Sequence, residues 1–256
     1  MSPAAEAPVA ESSVTDRPEA RRRGGPQLIP RPASASPGSP APWVGRIPSR
    51  VTVAEVRQAF SRRRVEPTAA AWPESPEGLR PAAVLCPVFE EDGQAWLILT
   101  RRSSSLRLHT GEVSFPGGRI DEGEEAAAAA LREAHEEIGL DPSRVQVLGR
   151  LSTMTTIRNP APITPFVGVV TGGRPEFVAN PAEVERVITV PLAEMFAEEV
   201  HREEMWELGQ FGVRPFYFFE LIGDTVWGAT ARILREFLEL VWGAGEAGHG
   251  ASELSR

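Results

Sequence analysis

Residues 117–140 read GGRIDEGEEAAAAALREAHEEIGL, and the helix they encode decides how the rest of the chain is read. At 100° per residue Ala127, Leu131, Ala134 and Ile138 fall within one narrow stripe, suited to packing on a sheet. Glu133, Glu136 and Glu137 stand at i, i+3 and i+4, so their carboxylates share the opposite face. Three like charges this close repel one another, and the negative end of the helix dipole adds to the repulsion. Taken alone, such a cluster reads as a solvated charged face. It also reads as a site for a hard divalent cation, because carboxylate oxygens suit Mg2+ or Mn2+, which keep waters and bridge to substrate phosphates. Ala126 and Ala129 lie on the same side and leave room for a bulky ligand.

Working outward, AAVLCPVFE (82–90) and AWLILT (95–100) read as two buried strands, joined at Glu91, Asp92 and Gly93 into a hairpin. VQVLGRLST (145–153), ITPFVGVVT (163–171), VERVITVPL (184–192) and FYFFELIG (216–223) read as further strands. LAEMFAEE reads as a short helix, and ATARILREFLELVW (229–242) as a closing one. Upstream, Thr52 caps a helix through Phe60, with Val53, Val56 and Phe60 at helical spacing. Strands outnumber helices and do not alternate with them regularly. That predicts an α/β fold of the α+β kind, a mixed sheet with helices packed on it, rather than a doubly wound sheet.

Composition bounds the function. The chain of 256 residues carries 27 basic and 35 acidic side chains, for a formal charge of −8, and every basic residue is Arg. An acidic balance argues against nucleic-acid binding, whose footprint is a basic face. The single cysteine, Cys86, excludes an intramolecular disulfide and a multi-cysteine zinc site, and suits a reducing, cytoplasmic setting. Its place in a buried strand makes it a core residue. No run approaches 18 apolar residues, so no membrane span is expected. Residues 1–50 hold 10 of the 24 prolines with seven arginines and four acids. Residues 1–45 are expected to be a disordered tail, 46–242 a single domain, and 243–256 a second disordered tail.

The spacing within 117–140 carries a resemblance. Gly118, Glu124, Arg132-Glu133, Glu136-Glu137 and Gly139 stand where the Nudix box of the Nudix hydrolases has its fixed residues, with Ala134 in place of a bulkier aliphatic side chain. The resemblance implies a Nudix-like α/β/α sandwich and a loop–helix–loop that binds Mg2+ or Mn2+ and hydrolyses a nucleoside diphosphate linked to another group. Glu133 and Glu137 are then the first metal ligands and Glu136 the next choice, as ligand or base. Gly118 offers a carbonyl to the metal, and Gly117 permits the tight turn into the loop. Arg132 orients a carboxylate, Glu124 or Glu133, rather than touching substrate.

Just upstream, Ile98-Leu99-Thr100, Arg102-Ser103, Arg107, Gly111 and Phe115-Pro116-Gly117-Gly118 resemble a second motif, that of the coenzyme A diphosphatase branch. Trp227-Gly228 with Thr230-Ala231, and residues 180–192, are similar to that branch as well. This implies coenzyme A or acyl-coenzyme A as a small-molecule substrate, cleaved to 3′,5′-ADP and 4′-phosphopantetheine or its acyl form, by a monomer or homodimer. Arg101, Arg102 and Arg107 offer planar forks for phosphate, and His109 a hydrogen bond to the diphosphate. Glu183 matches an acidic position of the family and is an alternative base. The rival readings are hydrolysis of ADP-ribose or a reduced nicotinamide dinucleotide, and a nucleotide-sensing module without turnover.

Overall fold

Thr52 and Glu55 form a capping box. The Glu55 amide donates to Thr52 Oγ1 at 3.2 Å, and the Glu55 carboxylate accepts from the Thr52 amide at 2.7 Å. This starts α1 (Val53–Arg62) where the sequence predicts it. The computed structural model describes residues 22–62, 79–103, 111–156 and 160–253. In chain order the named elements are β1 (Ser36–Pro37), α1, β2 (Ala82–Glu91), β3 (Gln94–Arg102), β4 (Val113–Ser114), β5 (Gly117–Arg119) and α2 (Ala126–Ile138). They continue with β6 (Val145–Arg150), β7 (Ile163–Val170), β8 (Val184–Pro191), β9 (His201–Glu207), β10 (Val213–Leu221), β11 (Asp224–Val226) and α3 (Gly228–Glu253).

The expected hairpin is β2–β3. Its turn places Asp92 and Gly93 at φ 52° and 71°, the pair of positive values that an Asp-Gly turn accepts most readily. β2 also pairs with β7, in parallel, from Ala82↔Ile163 to Val88↔Val169. Parallel strands need a long crossover, and this one carries α2. β3 takes β4 and β8 as antiparallel partners, and β6 closes the far edge against β7. The result is the mixed sheet the sequence predicts.

Side chains alternate across it. Leu85, Phe89 and Ile98 point to one face and pack with Ala130, Ala134 and Ile138 of α2. Cys86, Val88, Leu97 and Leu99 point to the other and pack with α1 and α3. Cys86 is a core residue, its thiol pushed up by burial. A second, antiparallel sheet runs β1-β9-β10-β11. Among the described residues no helix is long and apolar enough to cross a membrane.

Two expectations about the ends of the chain are corrected. The segment from Arg22 to residue 45 packs on the domain instead of lying free. Trp43 is 1% exposed, edge-on to Phe196 at 5.1 Å, and β1 pairs with β9 at Ser36↔Met205. Arg23 pairs with Glu194 at 2.8 Å and Arg31 with Glu204 at 2.7 Å. Polar pairing and one aromatic anchor fasten a stretch too poor in apolar residues to look ordered. At the other end the backbone of α3 continues to Glu253, past the expected limit at 242. Residues 1–21 lie outside the described residues.

Candidate active site

α2 ends at Gly139, whose left-handed backbone (φ 70°) lets its amide return to the His135 carbonyl at 2.8 Å. The next orphan carbonyls of the helix are taken by the chain around residue 180. The Asn180 amide donates to Glu137 O at 2.8 Å and the Val178 amide to Ile138 O at 3.0 Å. This return brings Glu183 beside the helix end. Its carbonyl also accepts from the Ser103 amide at 2.8 Å, so β3, α2 and the start of β8 meet at one place.

The three helix glutamates do not share one environment. Glu137 is 3% exposed. Burial pushes its carboxyl up to about 7, with Glu183 and Glu133 adding to the rise; Arg102 and the Gly117 amide work against it. Arg102 Nη1 stands 3.9 Å from Glu137 Oε1, while Oε2 is buried with no hydrogen-bond partner among the described residues. Glu133 is partly buried, and desolvation raises its carboxyl too, against the pull of Arg132. Glu136 is 55% exposed and turns toward Arg132 at 3.2 Å.

Arg132 gathers several acceptors around one guanidinium. Its guanidinium donates to Glu124 at 2.9 Å and 3.1 Å, to Glu133 at 3.0 Å and to the Arg119 carbonyl at 3.0 Å. Hydrogen bonding to Arg132 holds Glu124 below the usual carboxylate range. Among the described residues no three His, Cys, Asp or Glu side chains converge into a ready cage. Arg132 draws Glu133 and Glu136 to itself, and Arg102 faces Glu137, so arginines occupy the space between like charges. A buried carboxylate with an unpartnered oxygen, next to a second partly buried one, is nevertheless the donor set that a hard cation takes.

The glycines of the loop are steric necessities. A Cβ on Gly118 would stand 2.5 Å from the Glu133 carboxylate carbon, and one on Gly117 would stand 2.4 Å from the Ala83 carbonyl oxygen. Both residues belong to β5, which pairs with β2, so the loop is pinned to the sheet while Glu133 lies directly over it.

The arginines expected at a substrate separate. Arg102 faces Glu137. Arg101, on the opposite face of β3, is instead committed elsewhere: Nη1 is 3.3 Å from Asp224 Oδ1 and Nε is 3.5 Å from Glu185 Oε2. Strand alternation thus sends Arg101 toward a buried carboxylate of β11 and away from Glu137. Asp224 went unnoticed in the sequence, as did its other partners Arg186 and Gln27, since nothing in local spacing joins positions 27, 101, 186 and 224. Arg107 and His109 lie outside the described residues. His135 is exposed on the flank of α2.

Comparison with known proteins agrees with this geometry. A family model described as a NUDIX domain matches residues 79–210, which include β2 to β5, α2 and Glu183. Nudix hydrolase 22, chloroplastic, of Arabidopsis thaliana is 42% identical over 171 residues, 62% of this chain and 55% of that protein. An uncharacterized Nudix hydrolase, NudL, of Photorhabdus laumondii is 37% identical over 164 residues, 63% of this chain and 85% of that protein. The chain thus spans about half the length of the plant relative and most of the bacterial one. A solved MutT/nudix family protein from Enterococcus faecalis is 17% identical, with a TM-score of 0.42 over 75% of each chain. With the family model covering more than half of the chain, and covering the loop and helix built above, the chain belongs to the Nudix hydrolase family.

Proposed function

We propose that this Nudix hydrolase cleaves the diphosphate of coenzyme A or acyl-coenzyme A, giving 3′,5′-ADP and 4′-phosphopantetheine or its acyl form, with Mg2+ or Mn2+ as cofactor. Diphosphate hydrolysis rests on the family. The observation that carries the metal assignment is Glu137: a buried carboxyl, raised to about 7, with one oxygen unpartnered. Coenzyme A is supported by the motif from Ile98 to Gly118 and stands as the finer part of the proposal.

Glu133 and Glu137 would hold the metal, Gly118 would offer its carbonyl, and Glu136 would join from the exposed side. A bound divalent cation would neutralise the diphosphate and polarise the phosphorus. The protein's own groups do the rest. Arg132 keeps Glu133 aimed over the loop, and Gly117 and Gly118 let the backbone pass close beneath it. Glu136 and Glu183 are the candidates to take a proton from the attacking water, since each places its side chain beside the cluster. Arg102 balances Glu137. Arg107 and His109 are proposed to meet the substrate phosphates. The protein acts as a cytoplasmic monomer or homodimer on a small molecule, with no nucleic acid or membrane involved.

The test is a substrate panel with Mg2+ or Mn2+, scored by product mass. Coenzyme A is expected to be preferred over dephospho-coenzyme A, which lacks only the 3′-phosphate. One charge-assisted hydrogen bond contributes about 1.5–3 kcal/mol, or roughly 10- to 150-fold in kcat/KM. Arg107→Ala should erase most of that preference and leave the dephospho substrate nearly unchanged. Equal rates on both substrates in the unmodified enzyme would put ADP-ribose or a reduced nicotinamide dinucleotide in front.

A further inference from the structure

The region that matches the family ends at residue 210, yet a hydrogen-bonded path enters the site from outside it. Residues 22–27 cross the β10–β11 turn as a strap. The Gly24 amide donates to the Leu221 carbonyl at 2.8 Å, the Gly223 amide to the Arg22 carbonyl at 3.1 Å, and the Gly25 amide to Thr225 Oγ1 at 3.1 Å. The approach is so close that a Cβ on Gly25 would stand 2.5 Å from the Asp224 Cα. The strap ends in Gln27, whose side-chain amide is fully used. Oε1 accepts from the Thr225 amide at 2.9 Å, and Nε2 donates both to Asp224 Oδ1 at 2.9 Å and to the Gly111 carbonyl at 3.1 Å.

Those two donations converge on neighbouring residues of β3. Asp224, 1% exposed, holds the Arg101 guanidinium on one face of the strand and also takes Arg186. Gly111 holds the backbone of the next residue, its amide donating to the Arg102 carbonyl at 3.2 Å. The register of β3 against β8 shifts between Arg101 and Arg102. The extra residue is Glu185 of β8, so β3 keeps its alternation there but loses regular ladder support at its end, which other contacts must supply. Consecutive strand residues face opposite ways, so fixing Arg101 toward Asp224 sets Arg102 toward Glu137.

We infer that Gln27 and Asp224 form a latch that aims Arg102 at Glu137, so the N-terminal strap supplies a positioning residue to the carboxylate cluster. The inference rests on the proposed role of that cluster. Its physical core, the fixing of Arg101 and Arg102, is independent of the substrate. Glu183 and Glu133 are the other charged groups near Glu137, and neither contacts the latch, which narrows its action to Arg102.

The experiment compares the full-length, metal-free protein with its Gln27→Met variant, which keeps side-chain length and removes all three hydrogen bonds. Hydrogen exchange of arginine Nε–H groups is followed by NMR, with the Arg101 and Arg102 signals assigned from Arg→Lys variants. Both should exchange at least about tenfold faster in Gln27→Met. The Trp206 indole, donated to Glu204 at 2.8 Å elsewhere in the second sheet, should not change and reports an intact fold. Should Gln27→Met unfold, Gln27→Asn, one methylene shorter with its amide retained, gives the same comparison at smaller amplitude.

Faster exchange at Arg101 with Arg102 unaffected would overturn the inference, as would no change at either. A second readout tests action through Arg102. Gln27→Met should lower kcat several-fold with KM nearly constant in the unmodified background, and have no further effect on top of Arg102→Gln. Equal losses in both backgrounds would assign Gln27 a general structural role. If coenzyme A proves not to be the substrate, the exchange result still decides the latch, while the substrate proposal fails alone.

Discussion

Asp224 and Glu137 are buried to nearly the same depth, with side chains 1% and 3% exposed, but their surroundings are opposite. Asp224 receives Gln27, Arg101 and Arg186, so both of its oxygens are spoken for. Glu137 has one arginine at 3.9 Å, two further carboxylates nearby, and an oxygen with no hydrogen-bond partner among the described residues. A carboxylate with filled valences holds structure together. One left short is held in place by the rest of the fold, and its strain is relieved only when something arrives. The sheet and the return at residue 180 supply that restraint for Glu137.

The sharpest way to break this comparison is to neutralise each carboxylate in turn. Glu137→Gln should lower turnover by orders of magnitude and raise the melting temperature of the metal-free protein. Asp224→Asn should act oppositely on stability and lower the melting temperature. It weakens the hold on Arg101, which keeps only Glu185 among the described residues, and on the half-exposed Arg186, a loss of about 1.5–3 kcal/mol, so the melting temperature should fall by roughly 3–12 °C at 2–4 °C per kcal/mol. Equal thermal effects from the two substitutions would remove the distinction.

Removing the strap comes next in size. Deleting residues 1–21 should leave thermal stability unchanged, whereas deleting residues 1–45 should lower it by several degrees, because the longer cut takes Trp43 and the partners of Glu194 and Glu204. A melting curve for each truncation decides it.

Acidity sharpens the contrast further. Glu137 has a folded value near 7 against 4.5 unfolded, so the folded state binds its proton more tightly. The metal-free protein should therefore be favoured below 4.5 and lose up to about 3 kcal/mol as pH rises through 7. Saturating Mn2+ or Glu137→Gln should flatten this slope in melting temperature across pH 5–8. His201 works the other way and in a different window. Burial, aided by Arg235, lowers it from 6.5 to about 4. Stability from the neutral ring is then complete above 6.5 and fades as pH falls through 4. Substituting His201 with Gln should weaken the acid limb alone, the smallest of these effects.

How far the sequence revealed these features depends on where each signal lies. The three glutamates of α2 sit within five residues of one another, Arg132 lies within one turn, and the apolar stripe recurs along the same helix from Ala127 to Ile138, so spacing alone exposed them. The β2–β3 hairpin was legible from its Asp-Gly turn between apolar runs. β9 was not: its buried positions include His201 and Glu204 alongside Trp206, so hydrophobic alternation is missing. Glu204 tolerates burial because Arg31, Arg202 and the Trp206 indole meet it; the last two are its neighbours on β9, and Arg31 arrives from the far N-terminal segment. Arg101 and Arg102 looked alike as neighbours, although the two-residue period of a strand already separates their faces. The Asp224 cluster was invisible because its members are brought together only by the finished fold.

The strap has a consequence for synthesis. Arg23 meets Glu194, Arg31 meets Glu204 and Gln27 meets Asp224, contacts that span 171, 173 and 197 residues of sequence. At roughly 5–20 residues per second of translation, the strap leaves the ribosome about 10–40 s before its partners do. Once residues 79–210 are made, Glu194 and Glu204 are present, but Asp224 and the β10–β11 turn that Gln27 grips are still to come. The strap is thus made long before it finds its place, and the β10–β11 turn is where its assembly is sealed.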